Sequence, residues 1–252
     1  MLVAFGATDK GRVRPINEDC FAIREELGLC VIADGMGGHN AGEVAARLAV
    51  DTVVDVVRDW HADALPPFGR DPALSDQGNV LRTSVLLANA QILERATTAE
   101  HYAGMGTTVV VTRVAGGRLV VAHVGDSRLY LFDGRTLRQV TRDDSWVATV
   151  LATDPKADPL LLQHHPMRNA LTNVVGARPR TEVHVIEEAL AGGELLLLTT
   201  DGVHGVLDHG RLEGLMREEE HPRQLAEQVV AAALTRGSRD NCTAIVARYQ
   251  TI

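Results

Sequence analysis

Cysteine is scarce in this sequence, because the chain of 252 residues contains only Cys20, Cys30 and Cys242. Their number is odd and none belongs to a Cys-x-x-Cys pair, so nothing indicates zinc binding or thiol redox chemistry. All three lie in apolar segments, and we expect them to be buried and reduced.

Long apolar runs are also lacking. No stretch reaches the roughly 20 continuous apolar residues of a membrane helix. The first residues, MLVAFGATDKGR, do not have the charged and apolar regions of a signal peptide. We therefore expect a cytoplasmic protein without a membrane partner.

Positively charged residues are fewer than negatively charged ones. The formal net charge is -8 and the isoelectric point is about 5.7. Binding to nucleic acid depends on clustered lysine and arginine, so we expect no nucleic-acid partner. Part of the negative excess is available to hold cations.

Internal repeats and long linkers are absent, so we expect residues 1–252 to form a single domain. Helices that do not alternate with strands disfavour a doubly wound parallel sheet. The pattern predicts an α+β fold, an α-β-β-α sandwich of two antiparallel β-sheets flanked by helices. Apolar spacing is helical over 41–60, 79–96 and 223–234 and β-forming over 3–8, 29–32, 107–141, 182–187, 194–200 and 242–249.

Three aspartates each lie at the end of a predicted strand, namely Asp34, Asp201 and Asp240. A carboxylate beside a buried strand needs hydrogen bonds, a cationic partner or a metal ion. Taken singly, Asp34-Gly35 and Asp201-Gly202 are more often turn markers. Their number, rather than any one of them, suggests a metal site.

Three further acids could line the same edge, because Asn17 precedes Glu18 and Asp19, and Asp126 follows another predicted strand. Oxygen ligands without neighbouring His and Cys favour Mn²⁺ or Mg²⁺ over zinc. Two such ions lower the pKa of a bridging water and clamp a phosphoryl group. Gly35 could present its carbonyl oxygen as an additional ligand.

Two other side chains near these acids have alternative interpretations. His39 follows a glycine-rich turn and could protonate a leaving alkoxide, although an isolated histidine is more often an ordinary surface residue. Arg14 could bind phosphate oxygens through its forked guanidinium, or it could be an ordinary surface arginine. Spacing alone does not decide either question.

The sequence resembles one known family over nearly its whole length. The similar stretches, in order, are RPINED at 14–19, DGMGGH at 34–39, GEVAA at 42–46, MGTT at 105–108, VGDSRLY at 124–130, RNALTNVVG at 168–176, TTDG at 199–202 and SRDNCT at 238–243. On these motifs the chain is identified as a member of the metal-dependent serine/threonine protein phosphatases of type 2C, in their short bacterial form.

The resemblance implies hydrolysis of phosphoserine and phosphothreonine by direct attack of a water or hydroxide that bridges two divalent ions, without a phosphoenzyme. It implies that Asp34 bridges the two ions. Asp201 and Asp240 would complete the shell of one ion, and Gly35 and Glu18 would bind the other.

By the same resemblance, Asp19 would orient coordinated water, and Asp126 with Asp201 would bind a third, weaker ion. Arg14 would hold the substrate phosphate and His39 would act as the general acid. The implied cofactors are Mn²⁺ or Mg²⁺, and the implied partners are phosphorylated proteins that a serine/threonine kinase produces.

The sequence departs from the family pattern on both sides of one segment. Asp144, in the run TRDDS, stands where the family often has histidine, and 171–176 reads LTNVVG where the family is close to LTRALG. These departures flank residues 146–170, which resemble the mobile flap beside the cleft of bacterial members. Substrate choice is therefore the property about which the resemblance says least.

Two alternatives from other classes remain. One is a non-catalytic module that binds phosphoproteins, which the intact acids at the predicted metal site argue against. The other is a metal-dependent hydrolase of small phosphate esters, which a side-by-side assay of peptide and metabolite substrates would distinguish. We expect the protein to be a monomer.

Overall fold

The computed structural model describes residues 1–37, 41–61, 67–219 and 221–250. These residues form eleven strands and seven α-helices. The strands are β1 (Leu2–Asp9), β2 (Asp19–Arg24), β3 (Leu29–Met36), β4 (Gly106–Thr107), β5 (Val109–Ala115), β6 (Arg118–Val124), β7 (Arg128–Phe132), β8 (Leu137–Gln139), β9 (His184–Ala189), β10 (Leu195–Thr199) and β11 (Cys242–Tyr249). The helices are α1 (Ala41–Asp59), α2 (Asp76–Thr98), α3 (Trp146–Thr153), α4 (Pro159–His164), α5 (Asp201–His204), α6 (His209–Glu218) and α7 (Pro222–Thr235).

Two antiparallel sheets pack against each other between layers of helices. One sheet has the order β1-β11-β10-β7-β8 and the other β2-β3-β5-β6-β9, with β4 paired to β3. Helices α1 and α2 cover the second sheet, whereas α5, α6 and α7 cover the first. This arrangement confirms the predicted α-β-β-α sandwich.

Alternation along the strands distributes apolar residues among three cores. In β3, Leu29, Val31 and Ala33 face α1 and α2, whereas Cys30 and Ile32 face the other sheet. Successive side chains of a strand point to opposite faces, so a strand covered on both faces needs an unbroken apolar run. The central strands have such runs because each lies between two cores.

Some elements differ from the sequence predictions. Helix α2 begins at Asp76 rather than at Asn79, because Ser75 Oγ accepts the N–H of Gly78 at 3.1 Å and caps the helix. The strands β2 and β4 and the helices α3 to α6 were not predicted. They are short or mostly half-exposed, so each provides too few apolar residues to show a clear period.

All three cysteines are free, and Cys30 and Cys242 are buried as predicted. Cys20 is only partly buried, because it lies in β2 at the edge of its sheet. Within the described ranges, no helix is both long enough and apolar enough to cross a membrane.

Candidate metal centre

The predicted acids come together at one end of the sandwich, around a cleft of about 1300 Å³. The cleft is lined by residues of the segment 13–14, the turn after β6, helix α5 and the turn before β11. Four charged residues that line it are Arg14, Asp126, Asp201 and Asp240, and one wall comes from the flap segment, which we define as residues 146–170.

Strand β3 carries Asp34 into this cluster. The prediction that Asp34 ends a strand is wrong, since β3 continues to Met36 by pairing with β4. The Asp34 N–H donates to Thr108 Oγ1 at 3.1 Å, and the Thr108 N–H donates to the Asp34 carbonyl at 2.9 Å. Burial, followed by the negative charge of Asp19, raises the pKa of Asp34 well above its ordinary value.

Asp19 begins β2 and lies opposite Asp34 in the strand register. Its Oδ2 accepts hydrogen bonds from Thr200 Oγ1 at 2.9 Å and from Thr243 Oγ1 at 2.6 Å. Its Oδ1 is buried and has no partner among the described residues. Burial raises the pKa of Asp19 to about 7, although the threonine hydrogen bonds favour the charged form.

Asp201 is the first residue of α5, directly after β10. Its Oδ1 is also buried and without a partner in the described part of the chain. Burial, then the charge of Asp240, raises the pKa of Asp201, while a hydrogen bond with the Asp34 carboxyl opposes that rise. Burial therefore favours the protonated forms of both Asp34 and Asp201.

Gly35 and Gly202 follow two of these aspartates, but neither marks a turn with a left-handed backbone. A Cβ atom on Gly35 would lie 2.0 Å from the carbonyl oxygen of Gly42, and one on Gly202 would lie 1.9 Å from the carbonyl oxygen of Asn241. Each glycine therefore allows another backbone segment to pack against the residue that follows a cluster aspartate.

Asp240 and Arg14 form an ion pair at the mouth of the cleft, with Arg14 Nη2 2.6 Å from Asp240 Oδ2. The two side chains keep 48% and 33% of their exposure, so both remain accessible. This hydrogen bond, together with the charge of Asp240, raises the pKa of Arg14. The predicted phosphate ligand and a predicted metal ligand thus neutralise each other here.

Glu18 lies against the start of α1, where the Gly42 N–H donates to its carboxylate. Burial raises the pKa of Glu18, whereas the charge of Arg14 opposes the shift. The backbone N–H of Glu18 donates to Asn241 Oδ1 at 2.8 Å. Asn241 therefore determines where the segment carrying both Arg14 and Glu18 lies.

Asp126 occupies the turn between β6 and β7, directly after Gly125. Burial, followed by the charge of Asp201, raises the pKa of Asp126 to about 7. Arg128 lies nearby, but its guanidinium binds Asp143 through Nε at 2.9 Å and Nη2 at 2.7 Å. The Asp126 carboxyl is consequently available to a cation.

The cluster fits hard divalent cations, because its donors are carboxylate oxygens and two of them are buried without a partner in the part of the chain that the structure describes. Among the described residues, no three carboxyl, imidazole or thiol groups are already arranged to hold a metal ion. In this structure Asp240 is paired with Arg14, and Asp201 is hydrogen-bonded with the Asp34 carboxyl.

The sequence interpretation missed three polar residues that hold the cluster, Thr200, Thr243 and Asn241. Their positions beside two of the predicted aspartates were the available signal, since buried carboxylates need nearby donors. His204 in the cleft wall was also missed. Its Nδ1 lies 2.9 Å from Thr199 Oγ1, and burial lowers the pKa of His204 well below its ordinary value.

The predicted general acid, His39, lies outside the described residues. Its distance from the acidic cluster is therefore not defined, and its role stays a prediction.

Comparison with known proteins gives consistent matches. A profile of the family described as protein phosphatase 2C matches residues 12–241. The serine/threonine phosphatase stp of Listeria welshimeri is 32% identical over 244 residues, covering 95% of this chain and 92% of the relative.

Solved structures also match along the whole chain. Serine/threonine phosphatase Stp1 from Staphylococcus aureus has a TM-score of 0.86 at 31% identity, covering 100% of this chain and 96% of that chain. The catalytic domain of the serine/threonine protein phosphatase PstP, in complex with 2 manganese ions, has a TM-score of 0.83 at 29% identity, covering 99% of each chain.

Proposed function

Because the chain belongs to the protein phosphatase 2C family and is a metal-dependent protein serine/threonine phosphatase, we propose that the acidic cluster is its catalytic centre. The observation that carries this proposal is the burial of two carboxyl oxygens, Asp19 Oδ1 and Asp201 Oδ1, that have no hydrogen-bond partner among the described residues. Uncompensated buried acids are costly, and divalent cations remove that cost.

Mn²⁺ or Mg²⁺ would be held by the residues that the sequence indicates. Asp34, which lies opposite Asp19 in the strand register, would bridge two ions, with Asp201 and Asp240 on one ion. Glu18 and the carbonyl of Gly35 would serve the other ion. When bound, such ions supply a water nucleophile of lowered pKa and neutralise the charge of the phosphate.

Two further acids have supporting roles in this proposal. Asp19 would orient coordinated water, because Thr200 and Thr243 fix one of its oxygens and leave the other free. Asp126 would bind a third, weaker ion together with Asp201, whose charge contributes to its raised pKa.

Arg14 would bind the substrate phosphate through its forked guanidinium. Its present partner is Asp240 at 2.6 Å, and its side chain is about half exposed. A cation bound to Asp240 would compete with Arg14 for that carboxylate and free the guanidinium for the phosphate. Metal binding and phosphate binding would therefore favour each other.

Release of the serine or threonine product requires a proton on the leaving alkoxide. His39 is the side chain that the family resemblance assigns to this step, and a histidine is suited to it near neutral pH. His204 is unsuited, because burial keeps its imidazole neutral.

Several wider features belong to the same proposal. The partners would be phosphoproteins made by a serine/threonine kinase, and the protein would act in the cytoplasm as a monomer. Residues 1–252 would form one catalytic domain, which is supported by the apolar core that both sheets share.

The decisive experiment is Asp201→Asn, assayed on a phosphothreonine peptide with Mn²⁺. We expect hydrolysis to fall by at least about 100-fold, beyond what loss of an outer-sphere partner usually costs. Asp51→Asn, on the exposed face of α1, is the matched control and should keep its activity. Undiminished activity of Asp201→Asn would rule out the proposed centre.

A small ester such as p-nitrophenyl phosphate, assayed beside the peptide, distinguishes the substrate classes. Preference for the peptide in kcat/KM is expected for a protein phosphatase. Equal or greater preference for small metabolites would instead favour a hydrolase of phosphate esters.

A further inference from the structure

Asp144 is a partly buried carboxylate outside the acidic cluster, with 13% of its side chain exposed. Its Oδ2 accepts the Gly125 N–H at 3.0 Å and Asn173 Nδ2 at 2.8 Å. Its Oδ1 lies 2.9 Å from His184 Nε2. Both oxygens of this carboxylate are therefore engaged, with three different parts of the chain.

The contact with Gly125 is double, because the Asp144 N–H also donates to the Gly125 carbonyl at 2.9 Å. Gly125 has a left-handed backbone with φ 97°, and a Cβ atom there would lie 2.7 Å from Thr108 Cγ2. The residue is therefore confined between Thr108 and Asp144. Gly125 directly precedes Asp126, so this confinement sets the direction in which Asp126 leaves β6.

His184 holds Asp144 from the neighbouring strand. It lies opposite His123 in the pairing of β9 with β6, and the two rings are 5.0 Å apart. Burial lowers the pKa of His123 to about 4, so its ring is neutral and does not compete for the carboxylate. Strand β6, which ends at the Asp126 turn, is therefore paired with β9, which carries the histidine that anchors Asp144.

Asp144 also lies at the base of the flap segment. The next residue, Ser145, caps α3 by accepting the Ala148 N–H, and Ser145 forms a bridge with Leu171. On the far side of the segment, the Thr172 N–H donates to the Asp144 carbonyl at 2.8 Å. Both ends of the flap segment are therefore tied to this one residue.

We propose that Asp144, anchored by His184, is a positioning residue that aims Asp126 into the metal centre and joins that turn to the base of the flap segment. The inference rests on the proposed function, because it takes Asp126 as a ligand of the weaker ion. Asp144 itself contacts no reacting group.

Calorimetric titration of the metal-free protein with MnCl₂, without substrate, measures this directly. Asp126→Asn identifies the weak binding step, which we expect it to remove. Asp144→Ala should weaken the same step by about tenfold and leave the tighter steps within about twofold, as loss of an outer-sphere partner does. Asp154→Ala, an exposed aspartate of the flap segment, should bind like the wild type.

Asp144→Asn separates positioning from charge. Its amide oxygen can still accept from Gly125 and Asn173, and its nitrogen can donate to a neutral His184 ring. We therefore expect its weak step to stay within about threefold of the wild type. Equal weakening in Asp144→Asn and Asp144→Ala would show that charge matters, and would overturn a positioning role.

Other outcomes also decide the matter. If Asp126→Asn leaves every step unchanged, the assignment of Asp126 fails and this inference fails with it. If Asp126→Asn removes the weak step but Asp144→Ala binds normally, only this inference fails. Equal weakening of all steps by Asp144→Ala would indicate a general structural role and overturn the inference.

If Asp144→Ala fails to fold, His184→Ala provides a second test of the positioning role. Removal of the anchor should weaken the same step by about threefold, less than removal of Asp144 itself. An unchanged weak step in His184→Ala would contradict the proposed anchoring.

Discussion

The acidic cluster and the flap segment line the same cleft but are held in different ways. The cluster is fixed by buried hydroxyls, since Thr108, Thr200 and Thr243 are at most 1% exposed. In α3, whose residues are all described, none is buried, and Leu151 and Met167 are among the exposed large apolar residues of the chain.

The difference indicates that metal binding and substrate selection depend on separate parts of the chain. Carboxylates that must hold cations are placed on strands whose register the cores determine, so their positions follow from the packing of both sheets. A segment with little buried surface can change without disturbing the fold, which suits the choice of substrate. The following variants test whether chemistry and selection separate in this way.

Among the variants that test this comparison, the largest effect is expected from Asn241→Ala. The Nδ2 atom of Asn241 donates to the carbonyls of Lys10 and Ile16, and its Oδ1 accepts from Glu18, so one side chain holds the whole segment with Arg14. We expect activity to fall by about 10- to 100-fold and unfolding free energy to fall by about 2 kcal/mol. Steady-state kinetics and urea unfolding measure the two quantities.

Asn79→Ala is a matched control for this variant. Asn79 is also buried and makes four hydrogen bonds with the chain before α2, but it does not line the cleft. It should lose a similar amount of stability and keep its activity when folded. Equal losses of activity in both variants would mean that the cluster responds to stability alone.

A moderate effect is expected from pH in the metal-free protein. The pKa of Asp126 is raised to about 7, above the roughly 3.9 of an unfolded aspartate. Folding therefore binds a proton between these values, and the stability due to this group falls as pH rises through 7. Asp126→Asn should be more stable than the wild type at pH 8, by a margin that shrinks by about 1 kcal/mol at pH 6.

Urea unfolding of both proteins in a chelator measures that margin. Comparing the two at each pH cancels the opposing effect of His123 and His204, whose lowered pKa values destabilise the folded state in acid. Saturating Mn²⁺ should reverse the order of stability, because metal binding requires the ionised carboxylate. A margin that does not change with pH would contradict the raised pKa of Asp126.

Much of the fold was predictable because the cores lie on periodic residues. Leu195–Leu198 and Cys242–Tyr249 belong to β10 and β11, which are covered on both faces. Each of these strands therefore appears in the sequence as a largely apolar run. The short helices α5 and α6 were not predictable, because their apolar stripes are only a few residues long and depend on the packing of α7.

The acids of the candidate site were predictable from the sequence, but the residues that hold them in place were not. Asp34, Asp201 and Asp126 were found because carboxylates next to apolar strands are unusual. The sequence did not indicate that the glycines after Asp34 and Asp201 admit another backbone segment at 2.0 Å or less from a Cβ position. The contact of Gly202 with Asn241 joins residues far apart in sequence, so no local pattern reports it.

The smallest effect is expected in the flap segment, from Trp146→Ala. The Trp146 ring stacks on His165 at 4.1 Å with an interplanar angle of 13°, which joins the two ends of the segment. Aromatic pairs contribute about 0.5–1.5 kcal/mol, so KM for a phosphothreonine peptide should rise roughly two- to tenfold. With p-nitrophenyl phosphate, which lacks the residues that flank a phosphothreonine, kcat and KM should not change.

Trp146→Phe keeps an aromatic ring against His165 and should therefore retain most of the affinity for the peptide. An equal loss of activity on the peptide and on the small ester would contradict the separation of substrate selection from metal binding. It would mean that the flap segment supports the carboxylates themselves, through Asp144 and the turn at Asp126, and that substrate selection and metal binding depend on one continuous structure.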